Sequence, residues 1–179
     1  NTSYKYTFPT PTGFKNKSIA IHSINIYNSI FNVNQQLYNN NFFQYQWWDS
    51  AGQLTTFDVV LSDGNYSVVD INFALQGVML NNKHYVYDTN QKKNIFFIEI
   101  TDNITEYAFE INLTPMATVL PSYQINPNPT VWTLPSTQQT PRIIFPSTSN
   151  FRNLVGFNAG IYPATPSNVL YRKLSDFVP

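Results

Sequence analysis

Residues 107–113 read Tyr-Ala-Phe-Glu-Ile-Asn-Leu, with Tyr107, Phe109, Ile111 and Leu113 on every second position. A period of two puts those side chains on one face of an extended strand and Ala108, Glu110 and Asn112 on the other. One face is built for a core and the other for water. The same period recurs in short runs. Phe57, Val59 and Leu61 alternate up to Ser62-Asp63-Gly64-Asn65, an Asp-Gly turn signal. After a turn at Asn39-Asn40-Asn41, Phe43, Tyr45 and Trp47 alternate with Gln44, Gln46 and Trp48. Tyr85-Val86-Tyr87 makes a short strand ahead of a turn at Asp88-Thr89-Asn90. Residues 95–100 are nearly all apolar, as in a strand buried on both faces. Residues 18–33 alternate in two phases, Ile19 and Ile21, then Ile24, Ile26 and Ile30 after His22-Ser23. That predicts a bulge or two abutting strands.

One segment breaks the period. Ile71, Ala74, Leu75, Val78 and Met79 recur at helical spacing, with Ser67 as the cap and Asp70 three residues on as its capping-box partner. The helix is expected to stop at Asn81-Asn82 and to pack its stripe on a sheet. Pro115, Pro121, Pro127, Pro129, Pro135, Pro141 and Pro146 then fall at short intervals. Proline offers no ladder donor, so this stretch predicts long loops, with Val131-Trp132 and Ile143-Ile144-Phe145 as its strand candidates. Residues 1–17 read as an arm or loop, residues 150–155 as one helical turn, and residues 159–179 as loop. These elements predict one all-β domain over residues 1–179, an antiparallel β-sandwich with one short helical crossover and long Pro-rich loops.

Chemistry is scarce on this frame. There is no cysteine, there are two histidines, and Lys plus Arg and Asp plus Glu number ten each. Acid–base and nucleophilic catalysis at neutral pH draw on those residue types, so the composition points to a structural or binding protein and not to an enzyme. His22, in a predicted strand, and His84, in Asn82-Lys83-His84-Tyr85, read as structural histidines. Glu106 and Glu110 share one face of a predicted strand and read as solvated surface rather than as the facing carboxylates of a glycosidase. Asp63-Gly64-Asn65 and Asp102-Asn103 read as turns, short of the oxygens a calcium site needs. Six glycines leave little material for a phosphate loop. No catalytic, cofactor-binding or metal-ligating residue is assigned, and no cofactor is expected.

Net charge is zero, so no basic excess exists to neutralise phosphates and nucleic-acid binding is not indicated. No apolar run approaches the roughly 18–20 residues of a membrane span. The absence of cysteine fits a reducing compartment of synthesis, and the acceptor-like Asn16-Lys17-Ser18, Asn103-Ile104-Thr105 and Asn112-Leu113-Thr114 read as incidental. No signal-peptide pattern opens the sequence, which begins at Asn1 and so reads as a processed or excised segment. The aromatic run is the candidate contact surface. Strict alternation turns Trp48, Gln44 and Gln46 away from Trp47, where they could contact a carbohydrate or receptor; the competing reading buries both tryptophans in the core.

Three stretches carry a resemblance. They are residues 23–33 (Ser-Ile-Asn-Ile-Tyr-Asn-Ser-Ile-Phe-Asn-Val), residues 63–72 leading into the helix, and Ile143-Ile144-Phe145-Pro146 followed by residues 151–160. Together they resemble the penton-type minor capsid proteins of virophages and polinton-like viruses, over most of the chain from about residue 18. The resemblance implies a single jelly-roll that assembles in fives at the vertices of an icosahedral capsid and contacts neighbouring capsid proteins. It places the protein in a virion assembled inside the host cell and brings no catalytic residues. Members of that family continue beyond the equivalent of residues 174–179, so the chain is expected to be part of a longer protein.

Overall fold

The computed structural model describes residues 31–177. The expected arm over residues 1–17, the two-phase run up to residue 30 and His22 lie outside them. In chain order the elements are α1 (Gln35–Tyr38), β1 (Phe42–Trp48), β2 (Leu54–Val60), α2 (Val68–Asn81), β3 (Val86–Asp88), β4 (Lys93–Ile95), β5 (Ile98–Asn103), β6 (Ala108–Leu113), β7 (Gln124–Ile125), β8 (Arg142–Phe145), α3 (Phe151–Leu154), β9 (Gly160–Tyr162) and β10 (Tyr171–Leu174). The described chain is mostly antiparallel sheet with few helices, as the alternation predicts. Its strands form a four-stranded sheet in the order β2-β1-β8-β9 and two three-stranded sheets, β10-β6-β5 and β4-β3-β7.

The largest sheet is built on the β1–β2 hairpin, in register from Phe42↔Val60 to Trp48↔Leu54. Asp49 closes the hairpin. Its Oδ1 accepts from the backbone N–H groups of Ala51 at 2.8 Å and Gln53 at 2.9 Å. Gly52 takes φ +72°, a conformation that costs glycine little, and a Cβ there would sit 3.3 Å from the carbonyl oxygen of Leu134. On the outer face, Gln44 donates to Asp58 at 2.7 Å and Gln46 to Thr56 at 3.2 Å, tying the strands through their polar side chains.

The helix forms as its sequence predicts. Ser67 accepts from the N–H of Asp70, Asp70 accepts from the N–H of Ser67, and Ile71, Leu75 and Met79 are buried. The Ser67 hydroxyl also donates to the Asp70 carboxylate at 2.6 Å, and that bond, ahead of the one from the Ser67 N–H, holds the carboxyl below its ordinary pKa. Each of the three buried side chains contributes on the order of 1.5–3 kcal/mol by leaving water. Ala74 and Val78 pack at the margin of the same cluster.

Several expectations need correction. Residues 95–100 are not one strand. The chain leaves β4 at Ile95, passes Phe96 and Phe97, and enters a different sheet at Ile98, with Glu99 exposed. Continuous apolarity here comes from crossing the core between two sheets, not from burial on both faces. Tyr107 is not the first core residue of β6; it sits at φ +49° in the preceding turn and is 80% exposed. Glu106 lies in that turn and so does not share a strand face with Glu110, which accepts from Asn103 at 3.0 Å. Val131-Trp132 is a turn rather than a strand, and the short strand of the proline-rich stretch before β8 is β7. Residues 159–179 are not all loop, since β9 pairs with β8 and β10 pairs with β6. Ile143-Ile144-Phe145 is a strand as predicted, β8, and Ile143 and Phe145 are its core residues.

Candidate functional site

Three features of the described residues are candidates for function: the aromatic cluster around His84, the outward face of α2, and a cleft beside β3. Each follows from the placement of a few residues.

His84 follows α2, where Lys83 takes φ +61° and reverses the chain. The backbone N–H of His84 then returns to the carbonyl of Met79 at 2.8 Å, which holds the imidazole against β1. Nδ1 of His84 lies 2.8 Å from the Tyr45 hydroxyl, and that hydroxyl accepts from the Asn82 amide at 3.1 Å. In the His84 tautomer protonated at Nε2, the phenol donates to Nδ1. Trp47 stacks on the ring with centroids 5.5 Å apart, and Phe57 meets it edge-on at 4.4 Å. Burial pushes the His84 pKa down to about 4 and the Tyr45 pKa up to about 12. At neutral pH the pair is uncharged. A neutral imidazole packed between aromatic faces is a structural histidine, as the sequence predicts.

The aromatic run itself differs from the outward reading. Trp47 and Trp48 are both fully buried. Their ring centroids lie 5.0 Å apart at 65°, so the Trp48 ring does not stand on the far side of the sheet. Trp48 is the last residue of β1, next to the Asp49 turn, and strict alternation lapses there. Trp132 completes the cluster edge-on to Trp47 at 5.3 Å, and its indole N–H donates to the Lys83 carbonyl at 2.8 Å. The indole N–H groups of Trp47 and Trp48 have no hydrogen-bond partner among the described residues. Surrounding ring faces are the weak acceptors on offer. Gln44 donates to Asp58 and Gln46 to Thr56, and neither tryptophan is exposed on this face.

The second feature is the far side of α2. Val69 is 53% exposed, Phe73 63% and Leu80 37%, and with Gln76 and Gly77 they share the face opposite Ile71, Leu75 and Met79. Gly77 has open space where a Cβ would stand. Asp70, exposed and seven residues before Gly77, borders this face at the first turn. A helix apolar on both sides belongs between two surfaces, and here one of them is solvent. The expected amphipathic stripe is present, but the opposing apolar stripe went unread because a core-packing face already accounted for the helix.

The third feature is a cleft of about 370 Å³ where the β4-β3-β7 sheet opens toward β5, lined by Asp88, Lys93, Glu99, Tyr123 and Gln124 among others. Asp88 sits on the central strand, paired with Lys93 on one side and Gln124 on the other. The residue is only 3% exposed, and Oδ1 accepts from the N–H of Gln91 at 2.8 Å. The loop carrying Tyr123 is pinned to the β3–β4 hairpin. Both the N–H and the hydroxyl of Thr89 donate to the Tyr123 carbonyl, at 2.8 and 2.9 Å. No group of three or more metal-ligating side chains occurs among the described residues, and no described helix is long and apolar enough to cross a membrane.

No protein family, curated protein or solved structure matches this chain.

Proposed function

We propose that the protein is a structural component of an icosahedral virion, a vertex (penton) or other minor capsid subunit, that acts by packing against copies of itself. The observation that carries the reading is the open apolar face of α2. Val69, Phe73 and Leu80 form an exposed apolar row, and the chain has zero net charge, so little electrostatic repulsion opposes contact between copies. The resemblance read from the sequence supplies the kind of assembly. The sheets β2-β1-β8-β9 and β10-β6-β5 are, on this reading, the two leaves of a jelly-roll sandwich, with α2 as the crossover between them. A ring also needs a second, different surface on each subunit. The exposed Ile104 and Tyr107 at the β5–β6 turn are apolar and lie apart in sequence from α2. On this reading the role is mechanical rather than catalytic, and the packing of uncharged His84 and Tyr45 in the core is consistent with it.

Sedimentation velocity over a wide concentration range tests this. The expected species is a closed oligomer near five times the 20.6 kDa chain mass, and Phe73→Asp should return it to a monomer of unchanged circular dichroism. A chain that stays monomeric at every concentration, or a Phe73→Asp variant that associates as the parent does, overturns the reading.

A further inference from the structure

β2 is an outermost strand of the four-stranded sheet, and its free edge carries a fixed set of backbone groups. Leu61 donates its N–H to the Asn41 carbonyl, and Asp49 donates to the Gln53 carbonyl, both at 2.8 Å. The register between those two bonds is unbroken. Bonded pairs alternate along an antiparallel ladder, so Thr55, Phe57 and Val59 bond to β1. Leu54, Thr56, Asp58 and Val60 then turn their N–H and C=O groups outward, and among the described residues nothing bonds to them. Thr55, Thr56, Asp58 and Val60 are exposed. The strand has no proline, no basic residue and no bulge to blunt that edge, and its one charge is Asp58.

We propose that this edge pairs with the same edge of a second copy, antiparallel about Phe57, so that two four-stranded sheets join into one. Only outward-turned residues can bond across the new ladder, so each must oppose another of the same set. Centring on Phe57 sets Thr56 opposite Asp58 of the second copy and Leu54 opposite Val60 of the second copy, each twice by symmetry. These side chains share the outer face of the sheet with Gln44 and Gln46. The Thr56 hydroxyl accepts from Gln46 and keeps its proton to donate. Asp58 accepts from Gln44 on Oδ1 and has Oδ2 to receive that proton. Val60, 63% exposed in the single chain, is covered by Leu54 of the second copy. The neighbouring registers are worse. One sets Asp58 against Asp58, opposing like charges, and the other sets Val60 against Gly52, outside the strand. The strand is thus its own complement in a single register, which is why a second copy is the partner it fits. One strand pair buries little surface, so the contact is weak between free chains and forms at the concentrations of NMR rather than those of sedimentation. It needs neither the α2 face nor a closed ring, so it stands apart from the shell reading.

The test is amide-detected NMR on the Phe73→Asp chain, which takes the α2 face out of the comparison, diluted from millimolar to micromolar concentration. Amides of Thr56, Asp58 and Val60 should shift with concentration, while those of Phe57 and Val59, already bonded to β1, move much less. Thr56→Lys sets opposite charges across the new ladder and should tighten association by about threefold or more, whereas Thr56→Asp sets two carboxylates together and should weaken it by as much. Adding Asp58→Lys to Thr56→Asp should restore the association. All three variants should keep the thermal unfolding of the chain they are made in, because both positions are exposed. Amides that do not respond to concentration, Thr56→Lys and Thr56→Asp variants that associate alike, or a double variant as weak as Thr56→Asp alone would each overturn the proposal.

Discussion

The hydroxyl of Tyr45 lies 2.8 Å from Nδ1 of His84 in the centre of the core, and the same oxygen accepts from Asn82. That oxygen links the largest sheet to the end of α2. Tyr45→Phe keeps the ring but strands two polar groups in a buried site, and a loss of about 1–3 kcal/mol is expected. Urea unfolding of the two proteins at neutral pH measures it. A loss below a few tenths would mean that the link contributes nothing.

The pKa of His84 gives stability a defined dependence on acid. An exposed histidine titrates near 6.5, whereas His84 in the folded chain is held at about 4. The unfolded chain therefore binds a proton first. Stability attributable to this residue is complete above about pH 6.5, falls as pH drops toward 4, and changes no further below that. The span amounts to about 3 kcal/mol. Denaturant titrations at intervals between pH 4 and 7 should show this fall in the parent and a shallower one in His84→Gln. Equal slopes would mean that His84 is not the group responsible.

Gly77 separates folding from assembly. An added Cβ meets no atom within 4 Å, and alanine is the better helix former. Gly77→Ala should raise stability at low concentration by about 0.5–1 kcal/mol. If copies meet closely on this face, the same methyl should weaken their association. Thermal melts in dilute solution read the first effect and sedimentation reads the second.

All three tryptophans are fully buried. The native chain should show blue-shifted tryptophan emission that acrylamide scarcely quenches, and Trp48→Phe should reduce intensity without changing accessibility. Strong quenching would place at least one ring at the surface and restore the contact reading of the aromatic run.

Local signals were legible where one element decided the pattern. Ser67, Asp70 and the Ile71–Leu75–Met79 spacing specify the helix from its cap to its buried face, because caps and period are set within a dozen residues. The strands β1, β2 and β8 read equally well. Residues 95–100 failed because apolarity reports burial and not the partner strand, and a crossing between sheets is as apolar as a doubly covered strand. Of the two readings of the aromatic run, burial of both tryptophans holds, because alternation lapses at Trp48, the last residue of its strand. β9 and β10 went unread since three or four residues are too few for a period to show. The cleft is a product of register: only pairing brings Lys93 and Gln124 to Asp88, which sequence alone presents as a turn residue.

The two-sided apolarity of α2 has a consequence for how strongly the chain holds its shape. A surface that is costly to leave wet makes the folded monomer less favourable than the same monomer covered, so covering it feeds back on folding through mass action. On the shell reading, the unfolding temperature should rise with protein concentration, and a subunit should be least robust while newly made and alone. The helix would then act as a checkpoint, making full stability a property of the company the chain keeps.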